Sequence, residues 1–235
     1  MDVPPPVEIP ASVAPPAIQP VFVEPPDSAV LVERARQVVR NLPGCFNMKG
    51  DARDRFDAGI FGKGERHWIL EGTLIGGLWS PYTASVAADS PDKPDPDEKR
   101  NSIFGRTAES EESSNEGRQS ILQALQDDVT MEYVEKHGEG WRLIRTLRGG
   151  NVGRNLLTLG FDSAWNPHHF AITIVDPVVV KGERGRGKIV SMDVSLDTDA
   201  QGAPASERLD GVFAAWPFSV EVHAVTTWTA TPCGT

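Results

Sequence analysis

Histidines, cysteines and tryptophans carry most of the chemistry this 235-residue sequence could perform. The run Trp165-Asn166-Pro167-His168-His169 stands out first. Adjacent histidines on a strand point to opposite faces, so His168 and His169 cannot serve one metal ion without a bulge. Period-two spacing puts His168 with Phe170, Ile172 and Ile174, and His169 with Ala171, Thr173 and Val175. His223 falls with Glu221, Thr227 and Thr229 on the polar side of the last strand. A site of His169, His223 and an acid such as Asp176 could bind a metal or move a proton. No HxH or HxxxH spacing occurs in the chain, so the sequence assigns no metal site and no cofactor. Ordinary strand-end histidines are the plain alternative.

Other polar groupings carry less. Lys181 to Lys188 is basic and glycine-rich, but its spacing matches neither a P-loop nor a dinucleotide fingerprint, so it reads as a solvated turn. No GxSxG nucleophile motif is present. Asp51, Asp54 and Asp57 suit calcium by chemistry, yet their spacing is not that of an EF-hand loop. They read as a hydrated turn. Cys45 could act as a thiol nucleophile only beside a base, which spacing alone does not reveal.

The six tryptophans point elsewhere. Indoles inside a β-barrel fill volume and offer flat apolar walls to a ligand. Trp68 shares its strand face with Leu70 and Leu74, and Trp141 with Leu143 and Leu147. Both are expected on the buried side, as ligand contacts or as core filler.

These residues need strands to position them. At 188–197, Val190, Met192, Val194 and Leu196 alternate with Ser191, Asp193, Ser195 and Asp197, the mark of a strand with one buried and one wet face. Strands are expected at 45–49, 56–61, 66–76 and 78–88. Val129–His137 and Trp141–Leu147 form a hairpin across Gly138-Glu139-Gly140. Asn155–Phe161, His168–Val175, Lys188–Asp197, Val212–Trp216 and Ser219–Thr231 follow. Short helices fit from Asp27 or Ser28 to Arg40 and over 115–127. No strand–helix–strand rhythm appears, which excludes a doubly wound α/β fold. The fold class is mainly β: an antiparallel up-and-down barrel or strongly curved sheet with two short helices.

Cys45 and Cys233 mark the two limits of this pattern. In a closed up-and-down barrel the first and last strands are neighbours, so a Cys45–Cys233 bridge is geometrically natural. It would imply an oxidising compartment, periplasmic or secreted. Two free thiols in a cytoplasmic protein are the alternative.

The domain organisation is simple. Residues 1–27 contain nine prolines and should be an extended, flexible tail. A protein partner could dock on this tail. Residues 28–235 form one domain, interrupted at about 89–116 by an acidic, proline-rich loop expected to be disordered. The net charge of −10 argues against nucleic acid as a partner. No apolar run approaches the ~20 residues of a membrane-spanning helix.

A leading helix, the Gly44-Cys45-Phe46 entry, a series of antiparallel strands and a cysteine at each end together resemble lipocalin-like barrels over about 44–233. Phe46 stands where that family's Gly-x-Trp entry has tryptophan. The resemblance is at the level of fold. It implies a binding protein for a small apolar or amphipathic molecule. A barrel-type isomerase, cyclase or hydrolase using a histidine base, and a non-catalytic interaction subunit, are the alternatives.

Overall fold

A computed structural model describes residues 24–40, 44–76, 78–79, 83–93, 116–126, 128–148, 154–182, 185–215 and 218–234. Residues 1–23 of the proline-rich tail and 94–115 of the acidic stretch lie outside them.

The chain begins with helix α1 (Ser28–Arg40). Asp27 caps it, its Oδ1 accepting from the Ala29 amide at 2.8 Å. Among the described residues twelve strands follow: β1 (Cys45–Asp57), β2 (Lys63–Ile75), β3 (Leu78–Trp79), β4 (Thr83–Val86), β5 (Val129–His137), β6 (Gly140–Leu147), β7 (Asn155–Phe161), β8 (Pro167–Ile174), β9 (Val178–Gly182), β10 (Gly185–Thr198), β11 (Pro204–Ala215) and β12 (Phe218–Pro232). Helix α2 (Glu116–Gln126) precedes β5.

All twelve strands belong to one antiparallel sheet with the order β3-β2-β1-β12-β11-β10-β8-β7-β6-β5. The extra strands β4 and β9 pair with β2 and β10. The expected large antiparallel sheet with two short helices is therefore present. Its first and last long strands, β1 and β12, are neighbours, with twelve register pairs from Phe46↔Pro232 to Asp57↔Glu221. Among the described residues the ladder is open. The opening lies between β5 and the β3–β4 edge beyond β2, on either side of the stretch that includes the acidic insertion, and not between the chain ends. Cys45 and Cys233 form a disulfide at the end of the β1–β12 pair, with Cα atoms 5.3 Å apart.

Register assigns every long strand an apolar and a polar face. Phe46, Met48, Ala52, Trp68, Leu70, Leu74 and Trp228 form one buried cluster on the apolar face, joined by Ala203 from the β10–β11 turn. A second cluster joins Leu31, Ala35 and Leu125 of the helices to Trp141, Leu143, Leu157, Leu159, Phe161 and Phe170 of β6, β7 and β8. The two helices thus cover the β5–β8 half of that face. Arg145, 7% exposed, ties cover to sheet: it pairs with Glu132 Oε2 at 2.6 Å and donates to the Leu125 carbonyl at 3.1 Å. That carbonyl lies in the last turn of α2, where a cation is favourable.

Three expectations need correction. Asp51, Asp54 and Asp57 do not sit in a turn: β1 runs unbroken through them. Its apolar face there carries Gly50 and Ala52 because the Trp228 ring lies across Gly50, where a Cβ would stand 2.7 Å from the indole. The actual turn is 58–62, where Gly59 and Gly62 have φ of 61° and 115°. Second, β11 starts at Pro204, eight residues before the expected Val212. Arg208 and Asp210 lie on its polar face while Glu207 is buried on the apolar one, so the charges conceal the alternation. Third, the alternation at 188–197 slips at its start. A register shift between Ile189 and Ser191 leaves Val190 exposed rather than beside Met192.

Candidate functional site

Two surfaces of the sheet could carry function. The first is the apolar face between the two buried clusters. Here Ile172 of β8, Met192 and Val194 of β10, Leu209 and Phe213 of β11, and Val220, Val222 and Ala224 of β12 are only half-buried. Register sets them side by side: Val194 is opposite both Ile172 and Leu209, and Leu209 is opposite Ala224. Strands form here because these positions are β-branched or bulky and alternate with polar ones. The same rows end toward the cysteines in Glu207 and Thr226, which are 2% and 1% exposed and directly paired across β11 and β12.

Trp68 and Trp141 both lie on this face and are buried, as expected from the leucines they alternate with. They do not form one site. Trp68 belongs to β2 and the first cluster, Trp141 to β6 and the second, with the half-buried stripe between them. The Trp68 Nε1 group is buried and has no hydrogen-bond partner among the described residues.

The second surface is the polar face, where three histidines are each held by aspartate. His169 Nδ1 lies 2.7 Å from Asp197 Oδ1, whose other oxygen accepts from Ser206 Oγ at 2.8 Å. His223 Nδ1 lies 2.5 Å from Asp210 Oδ1, and Arg208 pairs with the other oxygen of Asp210. Burial pushes the Asp210 carboxyl up, but hydrogen bonds from Arg208 and His223 outweigh it and hold the group below its ordinary range. Arg208 and Asp193 border a shallow, polar depression of about 350 Å³ beside His169.

His169, His223 and Asp176 are not brought together. His169 is on β8 and His223 on β12, two strands intervening, and the row of His169 meets β12 at Thr227, four residues from His223. Strand spacing and rise make that roughly 20 Å. Asp176 lies beyond the end of β8 and is engaged by Arg154, whose side chain donates at 3.1 and 3.2 Å and whose amide donates at 3.0 Å. The Arg154 side chain holds the Asp176 carboxyl below its ordinary range.

His67 is the pairing sequence reasoning missed. It is 8% exposed, with Nδ1 2.6 Å from Asp89 Oδ1 and Nε2 3.1 Å from Asp51 Oδ2. The imidazole holds the Asp89 carboxyl below its ordinary range. Residues 87–92 run along β2 here: Ala87 donates to the His67 carbonyl, the His67 amide to Ser90 Oγ, and the Asp92 amide to the Glu65 carbonyl. The two nitrogens face opposite ways, so the trio is not a chelate. No group of three or more His, Cys, Asp or Glu residues among the described ones is arranged to hold a metal.

A cavity of about 660 Å³ is a wedge between α1 and the β7–β8 and β10–β11 turns. Trp165 lines it in a left-handed conformation, φ 67°, which a tryptophan rarely adopts. Asp162 holds this turn by accepting from the Ala164 and Asn166 amides, and Arg34 lies 5.6 Å from the Trp165 ring centroid.

Among the described residues, the fold and these surfaces define a large, open antiparallel sheet whose apolar face is partly covered by helices. No family model matches the chain, and no curated protein matches it. Among solved structures, one similarity is to the crystal structure of the LolA superfamily protein NE2245 from Nitrosomonas europaea. It has 11% identity, covers 88% of this chain and 94% of that one, and gives a TM-score of 0.36. That is too distant to assign a family.

Proposed function

We propose that the chain is a binding protein that holds a small apolar or amphipathic molecule against the apolar face of β8, β10, β11 and β12. The observation that carries this reading is the half-buried stripe of Val194, Leu209, Val222 and their neighbours, lying between two fully packed clusters on one face. A sheet face that is apolar but not covered has a standing gain from any apolar body laid on it, about 25 cal/mol per Å² removed from water. The stripe offers side chains that pack without specific polar demands, which suits an alkyl or isoprenoid body.

The disulfide supports an oxidising, extracytoplasmic setting for this protein. No helix among the described residues is long and apolar enough to cross a membrane. The histidine-base alternative has less support. His67, His169 and His223 all belong to the polar face, opposite the stripe.

The test is a titration with a fluorescent fatty acid whose emission rises in an apolar site. Saturable binding is expected for the unaltered protein. Leu209→Glu and Val222→Glu place charge on the stripe and should each weaken binding tenfold or more, while Ser195→Glu on the polar face should not. Equal affinity in all four proteins, with circular dichroism showing each folded, would sink the reading.

A further inference from the structure

The turn between β1 and β2 raises a question the ligand-binding face does not answer. Ile60 is 94% exposed and Phe61 is 61% exposed, at the outermost point of a hairpin. Gly59 and Gly62, both at positive φ, let the chain make this turn without folding those side chains back onto the sheet. Because β1 pairs with β12, the start of β12 lies alongside. Phe218, itself 42% exposed, meets Phe61 edge to face with ring centroids 4.4 Å apart. Three large apolar side chains therefore crown one end of the sheet.

We propose that this tip is a membrane-contact element, which inserts Ile60 and Phe61 into the interfacial region of a lipid bilayer. Three features favour a bilayer over a protein partner. First, the patch is a narrow convex point of three side chains, far below the ~800 Å² per partner that a stable protein interface uses. A bilayer needs no shape complement to accept such a point. Second, the charges below it are not basic: Lys63 pairs with Asp57 at 2.5 Å and Arg55 with Glu65 at 3.4 Å, and Glu221 and Asp92 add acid there. This local acidic excess, like the chain's −10, favours a zwitterionic over an anionic bilayer. Third, the tip is continuous with the half-buried stripe. Phe218, Val220 and Val222 alternate along the apolar face of β12, so an unbroken apolar track leads from Phe61 to the centre of the sheet.

The contact itself stands on the exposed tip, while its use, passing an amphipathic molecule between bilayer and stripe, rests on the binding function proposed above. The two are separable by experiment. The full chain is floated with phosphatidylcholine vesicles, and with vesicles of equal phosphatidylcholine and phosphatidylglycerol. Binding to the first is expected, with weaker binding to the second at low salt because of the net charge. Ile60→Ser with Phe61→Ser should cut the partition coefficient at least tenfold, while Val179→Ser, an exposed valine on β9, should leave it unchanged. All three substitutions are at exposed positions, and thermal unfolding checks that the fold survives. The tip variant should keep its affinity for a fluorescent fatty acid in vesicle-free solution. Leu209→Glu should lose that affinity and still float. Flotation equal for the tip variant and the unaltered chain overturns the membrane contact alone. A dimer in sedimentation velocity that the tip variant abolishes also overturns it, because the partner is then a second copy. Loss of fatty-acid affinity in the tip variant overturns the separation of contact from binding site.

Discussion

Single residues decide how closely the strands at the chain ends pack. The Trp228 indole lies flat over Gly50, and the Phe56 ring over Gly64, where added Cβ atoms would stand 2.7 and 2.2 Å from the rings. A glycine inside a strand weakens it by itself, so its presence here reflects the aromatic side chain that needs the space. Gly50→Val should therefore destabilise the fold by about 2 kcal/mol through overpacking, read as a lower urea midpoint with unchanged slope. An unchanged midpoint would mean that the indole has room to move aside. Glycine in this run also explains why 50–55 reads as a break between strands. The sequence carries the glycine but not the ring that lies on it.

Elements were legible where side chains alternate cleanly and obscure where they do not. The hairpin β5–β6, the polar placement of His169 and His223, and the buried sides of Trp68 and Trp141 all follow from period-two spacing. The start of β11 was not legible, because Glu207, Arg208 and Asp210 make it look like a loop. Its parity still carried a signal, with Leu209, Gly211 and Phe213 on one side. The pairing of His67 with Asp89 and Asp51 was hidden because it joins three segments, and Asp89 comes from a stretch whose charge suggests solvent. Ile60 and Phe61 read as the end of a strand; only the position of the turn makes them a tip.

The pairing of β1 with β12 was the element-level inference that reached furthest. The cysteines sit at its end, and the Cys233 amide donates to the Cys45 carbonyl at 2.9 Å, so the ladder and the disulfide reinforce each other. The bridge spans 188 residues of sequence. In the chain-entropy model that is worth about 5 kcal/mol, an upper figure because the ladder remains without it. Replacing both cysteines with alanine should lower the free energy of unfolding by roughly 2–4 kcal/mol in urea denaturation. A variant as stable as the parent would show that the bridge contributes nothing to the fold.

At the scale of the whole molecule, the described strands place β1 beside β12 but leave the sheet open between β4 and β5. The helices cover the β5–β8 half of the apolar face, and Trp68, Trp228 and the β10–β11 turn complete the other end. What is left between them is a stripe with apolar side chains and incomplete burial, and it runs toward the exposed tip. The hydrophobic effect gives such a stripe a use only when something apolar lies on it. The polar face, by contrast, pairs its histidines with its own aspartates.

The most direct measurement is therefore the position of a bound chain. A fatty acid carrying a nitroxide near its methyl end broadens nearby methyl signals in a nuclear magnetic resonance spectrum. Binding on the stripe requires strong broadening at Val194, Leu209 and Val222, with Val179 on β9 and Val225 on the polar face of β12 unaffected. Broadening confined to Val38 and its neighbours in the wedge beside Trp165, or spread evenly over the exposed valines, would contradict the account.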